Sequence, residues 1–143
     1  MALLNDIKLT DTKIIQNDSG DIVKILKCNP KKNEKISEVY CSWAISKKIK
    51  AWKMQTFQTM NLFVLKGDIR FVFIDTNDEV MKIDINFNSN KLITIPPGIW
   101  YGFMCVSRDN GLILNSTDIN HSPDNVKRKA VDYFPISYFK DKA

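Results

Sequence analysis

The 143 residues contain a single histidine, His121, and the three cysteines Cys28, Cys41 and Cys105 are odd in number, widely spaced and form no CxxC pair. One imidazole is too few for a multi-histidine metal centre, and three scattered thiols suit neither a disulfide framework nor a zinc site. No metal and no cofactor is expected, and the thiols are expected to be free and buried. No apolar run approaches the ~20 residues of a membrane helix. The opening MALLNDIKLT lacks a basic head followed by an apolar stretch and a cleavage site, so a cytoplasmic location is expected. Linkers, internal repeats and low-complexity segments are also missing, and the length suits one domain spanning residues 1–143.

What is present is a modest excess of positive charge, +5 with a pI near 9.1. The lysines are scattered apart from one local cluster, NPKKNEK, which has no interleaved aromatics and no recognition motif. That pattern reads as a solvated loop and not as a nucleic-acid patch. A phosphorylated small molecule suits the charge.

Short segments rich in Val, Ile, Phe and Tyr recur with turn signals at intervals of roughly ten residues, the rhythm of a β-sandwich or barrel. IVKILKC reads as a strand or a short amphipathic piece, strands are expected in EVYCSWAI, KKIKAWKM, VMKIDI, KLITI, the stretch after Gly98 and GLILNSTDI, and MNLFVLKGDIRFVFID reads as two strands joined at KGD. Gly67 can take the positive φ of that hairpin. Pro96 and Pro97 donate no ladder hydrogen bonds, so KLITI must stop there and the chain must turn through Gly98. In the tail, DNVKRKAV has the composition of a short helix and DYFPISYF is aromatic enough to pack on the body. About nine strands with such a tail predict an all-β jelly-roll sandwich or barrel with a short C-terminal segment of helical potential.

The stretch IKAWKMQTFQTMNLFVLKGDIRFVFID, followed by ITIPPGIWYGFMCVS and LNSTDINHSP, resembles the cupin-type dTDP-4-dehydrorhamnose 3,5-epimerase family, in particular its shorter epimerase-related branch. Lys50-Ala51-Trp52-Lys53 stands where the family has an Arg-Gly-Leu-His run, Gln58 fits the glutamine after it, and Gly67 fits the hairpin turn. Pro96, Pro97, Gly98, Gly102 and Phe103 match the proline-glycine turn and the strand behind it, and Thr117-Asp118 with Pro123 match the segment that follows. The resemblance implies a cupin jelly roll, a nucleotide-linked ketosugar as ligand, and a homodimer. It also implies epimerisation by a histidine base, a lysine that steadies the enolate and a tyrosine that returns the proton. At the three matching positions this chain has Lys53, Met60 and Leu114, none of them the expected side chain, and Gln55 stands where related cupins have a histidine.

Lys53 is the one candidate base on its strand, and an ordinary lysine, titrating near ~10.4, needs burial to act as one. The alternatives are a ligand-binding cation or a solvated strand lysine. Tyr101 is a candidate proton donor or stacking surface, set against a core tyrosine, and is expected on the same side as Phe103. Lys50, Gln55, Gln58, Asn61 and Asn115 are candidate ligand-binding residues at the barrel mouth, with one of Gln55, Gln58 and Asn61 expected to face outward. Arg70 is either a clasp for a diphosphate or an outward-facing strand arginine. Asp118 is expected to anchor a turn, and His121 lies in a loop. Three functions follow: a metal-free epimerase or isomerase, a non-catalytic sugar-nucleotide binder, and a structural interaction module.

Overall fold

Alternating apolar residues in short runs dictate strands, and the computed structural model, which describes residues 2–140, contains twelve of them. They are β1 (Lys8–Asp11), β2 (Lys13–Ile15), β3 (Ile22–Lys24), β4 (Glu38–Ala44), β5 (Ile49–Gln55), β6 (Met60–Lys66), β7 (Ile69–Ile74), β8 (Val80–Ile85), β9 (Lys91–Ile95), β10 (Trp100–Cys105), β11 (Gly111–Thr117) and β12 (Val126–Arg128). A four-residue helix α1 (Ser137–Lys140) ends the described chain. None of its helices is long and apolar enough to cross a membrane.

Ten strands form two antiparallel five-stranded sheets, ordered β1-β9-β6-β11-β4 and β12-β5-β10-β7-β8, while β2 and β3 pair as a separate hairpin. Packed face to face, the sheets make the expected all-β jelly-roll sandwich. Leu62, Val64, Ile93, Ile95 and Ile113 from the first sheet meet Ile69, Phe71, Phe73, Tyr101 and Phe103 from the second in one core. Each fully buried side chain of this size contributes roughly 1.5–3 kcal/mol of transfer free energy. A second core lies on the outer face of the second sheet, where Trp52, Val72, Ile74 and Met104 are covered by Phe139 of α1.

Two turns follow the sequence expectation closely. Gly67 joins β6 to β7 at φ +84°, and a Cβ there would come within 2.8 Å of the Gly111 Cα. The chain leaves β9 at Pro96 and Pro97 and turns through Gly98, at φ +94°, whose N–H donates to the Gln55 carbonyl.

The tail corrects one expectation. DNVKRKAV is not helical: a 3-10 turn over Pro123–Asn125 leads into β12, which pairs with β5. β5 would otherwise be the open edge of its sheet, and the ladder groups it offers outweigh the weak helical preference of so short a segment. IVKILKC likewise yields only the three residues of β3, and β1, β2 and β12 exceed the expected strand count. Of the thiols only Cys105 is buried; Cys28 is half-buried and Cys41 is exposed on β4.

Candidate functional site

The sandwich does not close completely. Between β4, β11 and β6 on one side and β5 and β10 on the other lies a small cavity that opens to solvent at one end. Tyr101, Phe103, Ile113 and Asn115 make its buried floor. Tyr40, Ser42, Lys50 and Lys53 ring the mouth.

The two lysines reach the same cavity because of a bulge. Strict alternation would send side chains three positions apart to opposite faces. On the β10 side, however, Lys53 pairs with Tyr101 and Ala51 pairs with Gly102, so Trp52 is a surplus residue. Trp52 turns outward into the second core, and Lys50, paired with Phe103, turns inward. The Lys50 ammonium then bridges the sheets, donating to the Ser42 hydroxyl at 2.8 Å and lying 5.9 Å from the centre of the Phe103 ring.

Burial and neighbouring charge set the protonation states. Desolvation lowers the pKa of Lys53 from its ordinary value, and the Arg128 and Lys50 cations lower it further. Burial pushes the Tyr101 phenol up to about 12, with a hydrogen bond from Gln55 and the charge of Arg128 opposing the shift. Tyr40 is also raised, first by burial, although Asn115 donates to its hydroxyl at 2.8 Å. The amide of Asn115 is thereby spent on Tyr40 and on the Met60 sulfur, which leaves its buried Oδ1 without a partner among the described residues; the buried Oε1 of Gln55 is in the same position. Each such oxygen costs about 1–3 kcal/mol until a donor reaches it.

Of the residues singled out from the sequence, Lys50, Lys53, Tyr101 and Asn115 line this cavity, and Gln55 adjoins it through Tyr101. The other three lie elsewhere. Gln58 donates to the Ile119 carbonyl at 2.7 Å and holds a turn with Asp118, which accepts from the Thr59 N–H at 2.8 Å as expected. Asn61 is on the opposite face of its sheet, where it accepts from Thr94 and adjoins a hollow lined by Val23, Leu26, Ile36 and Leu114. Arg70 grips Asp84 through two bonds of 2.8 and 3.0 Å and donates to the Phe139 carbonyl at 2.8 Å, fastening the tail on the outer face of the second sheet.

The polar cavity groups Tyr40 and Ser42 escaped the sequence reading, as did Arg128, whose charge acts on Lys53 and Tyr101. Tyr40 and Ser42 were legible, since Tyr40, Ser42 and Ala44 alternate along EVYCSWA on one face. Arg128 was not, because β12 carries no apolar alternation. Leu114, the match for the family's tyrosine, faces away from the cavity, and the inward residue is its neighbour Asn115. Among the described residues, no three His, Cys, Asp or Glu side chains converge as a metal-binding group.

Strand order and packing together define a cupin-type jelly roll with an open cavity between its sheets. Solved structures extend this. The dTDP sugar isomerase of Desulfovibrio desulfuricans G20 superimposes with a TM-score of 0.82 at 24% identity, over 99% of this chain and 94% of that one. The dTDP-4-dehydrorhamnose 3,5-epimerase of Sulfolobus tokodaii gives 0.78 at 20% identity, over 93% and 83%. The sugar 3,4-ketoisomerase QdtA of Thermoanaerobacterium thermosaccharolyticum, in complex with TDP, gives 0.77 at 16% identity, over 96% and 95%. The chain has the fold of these dTDP-sugar epimerases and isomerases, as its resemblance to the family implied. No protein-family model matches it, and no curated protein is significantly similar to it in sequence.

Proposed function

We propose that the cavity binds a nucleotide-activated ketosugar and moves a proton beside its ketone, with Lys53 as base and Tyr101 as acid. The observation that carries this reading is the pairing of Lys53 with Tyr101 across adjacent strands, both side chains lining one cavity. Proton abstraction needs a base poised toward working pH. Lys53 is moved in that direction by burial and by two neighbouring cations. The neutral amine takes the α-proton, the resulting enolate lies among the positive charges of Lys50 and Arg128, and the Tyr101 hydroxyl returns a proton to carbon. The unpartnered oxygens of Gln55 and Asn115 suit the hydroxyl groups of a sugar.

A second reading, ligand binding without turnover, is favoured by one specific observation. All three catalytic groups that the resemblance implies are missing, their positions being held by Lys53, Met60 and Leu114, and Leu114 does not face the cavity. Heavy-water incubation separates the readings. dTDP-, UDP- and GDP-ketosugars are screened for binding, and each ligand that binds is checked for deuterium beside the ketone. Uptake that disappears in Lys53→Met supports catalysis; binding without uptake supports the second reading; no binding sinks both.

The chain is further proposed to act as a homodimer in the cytoplasm. β4 is a sheet edge whose outward residues Val39 and Trp43 are 53% and 56% exposed, and the β2–β3 hairpin exposes Ile14, Ile15 and Ile22. Open edges with apolar flanks favour pairing with a second chain.

A further inference from the structure

IVKILKC is a strand only over the three residues of β3, and the chain beyond it runs over the outer face of the first sheet. Val23, Ile25 and Leu26 face that sheet and are still only half-buried, because they stand off from it. The hollow left between them and the sheet measures about 240 Å³. Protein interiors leave few voids larger than a water molecule, and an apolar cavity of about 150 Å³ suffices to hold benzene. The floor of the hollow is set by strand alternation. Along β11, Asn115 enters the cavity between the sheets while its neighbours Leu114 and Ser116 face the hollow. Ser116 stands opposite Val39 on β4 and Asn61 on β6, and Leu92 of β9 completes the floor. Apart from Ser116 and Asn61 the lining is apolar, and no charged side chain contributes to it. Ser116 is 6% exposed, and its Oγ has no hydrogen-bond partner among the described residues. Asn61 accepts from the Thr94 hydroxyl at 2.6 Å, which leaves its amide hydrogens to donate. An alanine at position 116 would remove an unmet polar group, so a serine there calls for a partner that reaches it.

We propose that this hollow is a second ligand site, separate from the cavity between the sheets, for an uncharged small molecule with an apolar body and a single hydroxyl. The body displaces water from Val23, Ile25, Leu26 and Leu114, and that burial drives binding. The hydroxyl meets Ser116, whose own hydroxyl both donates and accepts, and the Asn61 amide. A charged ligand is disfavoured, since no ionic group in the lining offsets its desolvation. Ile36 and Val39, 48% and 53% exposed, form the rim through which the molecule enters. The site stands independently of the nucleotide-sugar reading, because it lies on the other side of the first sheet and shares no side chain with the cavity.

The probe is 4-ethylphenol, titrated into the full-length protein with methyl NMR spectra as the readout, beside the anionic 4-ethylbenzoate, with melting temperatures as the folding control. A dilution series without ligand comes first, because Val39 also lies on the edge proposed to meet a second chain. Saturable shifts are expected at the Val23, Ile25, Leu26 and Leu114 methyls, while the Leu62 and Ile113 methyls of the other cavity stay in place. Ethylbenzoate should bind at least about tenfold more weakly. Ser116→Ala is expected to weaken 4-ethylphenol by roughly threefold to tenfold, the range of one lost hydrogen bond, while the free protein melts no lower than wild type. Leu26→Trp fills the hollow and abolishes binding; should it melt too low to assay, Ile36→Trp at the exposed rim is read in the same way. No saturable shift, shifts confined to the Leu62 and Ile113 methyls, or equal binding of ethylbenzoate overturns the site. Unchanged affinity in Ser116→Ala overturns recognition of the hydroxyl. Hollow methyls that move on dilution alone show a second copy seated there, and that outcome also overturns the site.

Discussion

Tyr101 stands directly opposite Lys53 on the neighbouring strand, and burial displaces the two groups in opposite directions, the phenol upward and the ammonium downward. Both displacements favour the uncharged form. The pair is thus a hydroxyl that keeps its proton and an amine that releases one more readily than a surface lysine does.

Alkaline titration exposes the phenol. Tyr101 is expected to ionise near the value of about 12, and the difference spectrum between wild type and Tyr101→Phe should show one hydroxyl titrating well beyond pH ~10. The folded state then holds a proton that the unfolded state loses between pH ~10 and about 12, so the contribution of Tyr101 to stability falls as pH rises through that window. Lys53 contributes with the opposite slope. Its folded pKa is depressed, the unfolded chain binds more protons between that value and the ordinary one, and stability from this group rises with pH there. Denaturant midpoints of Lys53→Met across the alkaline range, compared with wild type, read the second effect; a wild-type curve parallel to the variant's contradicts it.

Arg70 distinguishes a structural cation from a ligand cation. It is 8% exposed and spends three donors on Asp84 and the Phe139 carbonyl. Arg70→Ala is expected to cost about 2–3 kcal/mol in urea unfolding, since charged hydrogen bonds are lost and the Phe139 carbonyl is left buried. Affinity for a nucleotide ketosugar that the wild type binds should stay within about twofold, because the side chain is on the far face from the cavity. A large affinity loss would return Arg70 to the site.

Gly102 is kept small by packing. A Cβ there would sit 2.5 Å from the Ala51 Cβ and 2.9 Å from the Phe139 ring. Gly102→Ala is expected to destabilise the fold by about 1–3 kcal/mol, the usual cost of overpacking. Shrinking the neighbour with Phe139→Ala creates a cavity at a cost of about 3–5 kcal/mol and should not rescue Gly102→Ala, because the Ala51 clash remains. Thermal melts of the two single variants and the double variant decide this.

Trp43→Lys places a charge on the exposed face of the β4 edge. If a second copy covers that face, sedimentation should show the dimer weakened at least tenfold at unchanged melting temperature of the isolated chain. An unchanged dimer would put the interface elsewhere, on the β2–β3 hairpin first of all.

The hairpin at Gly67 and the break at Pro96-Pro97 were legible because their cause is local: one backbone angle and two missing donors. β12 was not. Val126-Lys127-Arg128 has no pattern of its own, and it becomes a strand because β5 offers an unpaired edge that no short window of sequence reveals. Lys53 and Tyr101 could be named as site candidates from the resemblance, and their opposition follows from the pairing of their strands. Lys50 is different: simple alternation places it outside whenever Lys53 is inside, and only the surplus residue reconciles the two. Arg70, Asn61 and Gln58 are polar residues of the right type whose partners are distant in sequence, so nothing near them distinguishes a ligand group from a clamp.

That surplus residue makes the inner lining of β5 a matter of counting. Up to Trp52 the even-numbered side chain, Lys50, reaches the interior, and beyond it the odd-numbered ones, Lys53 and Gln55, do so. Straightening the strand at unchanged length would send one of the two lysines outward, whereas deleting the surplus Trp52 would leave them two positions apart, both still facing inward, and would remove an anchor of the outer core. The charge of the cavity therefore depends on an irregularity in the register of one strand and not only on which residues that strand carries.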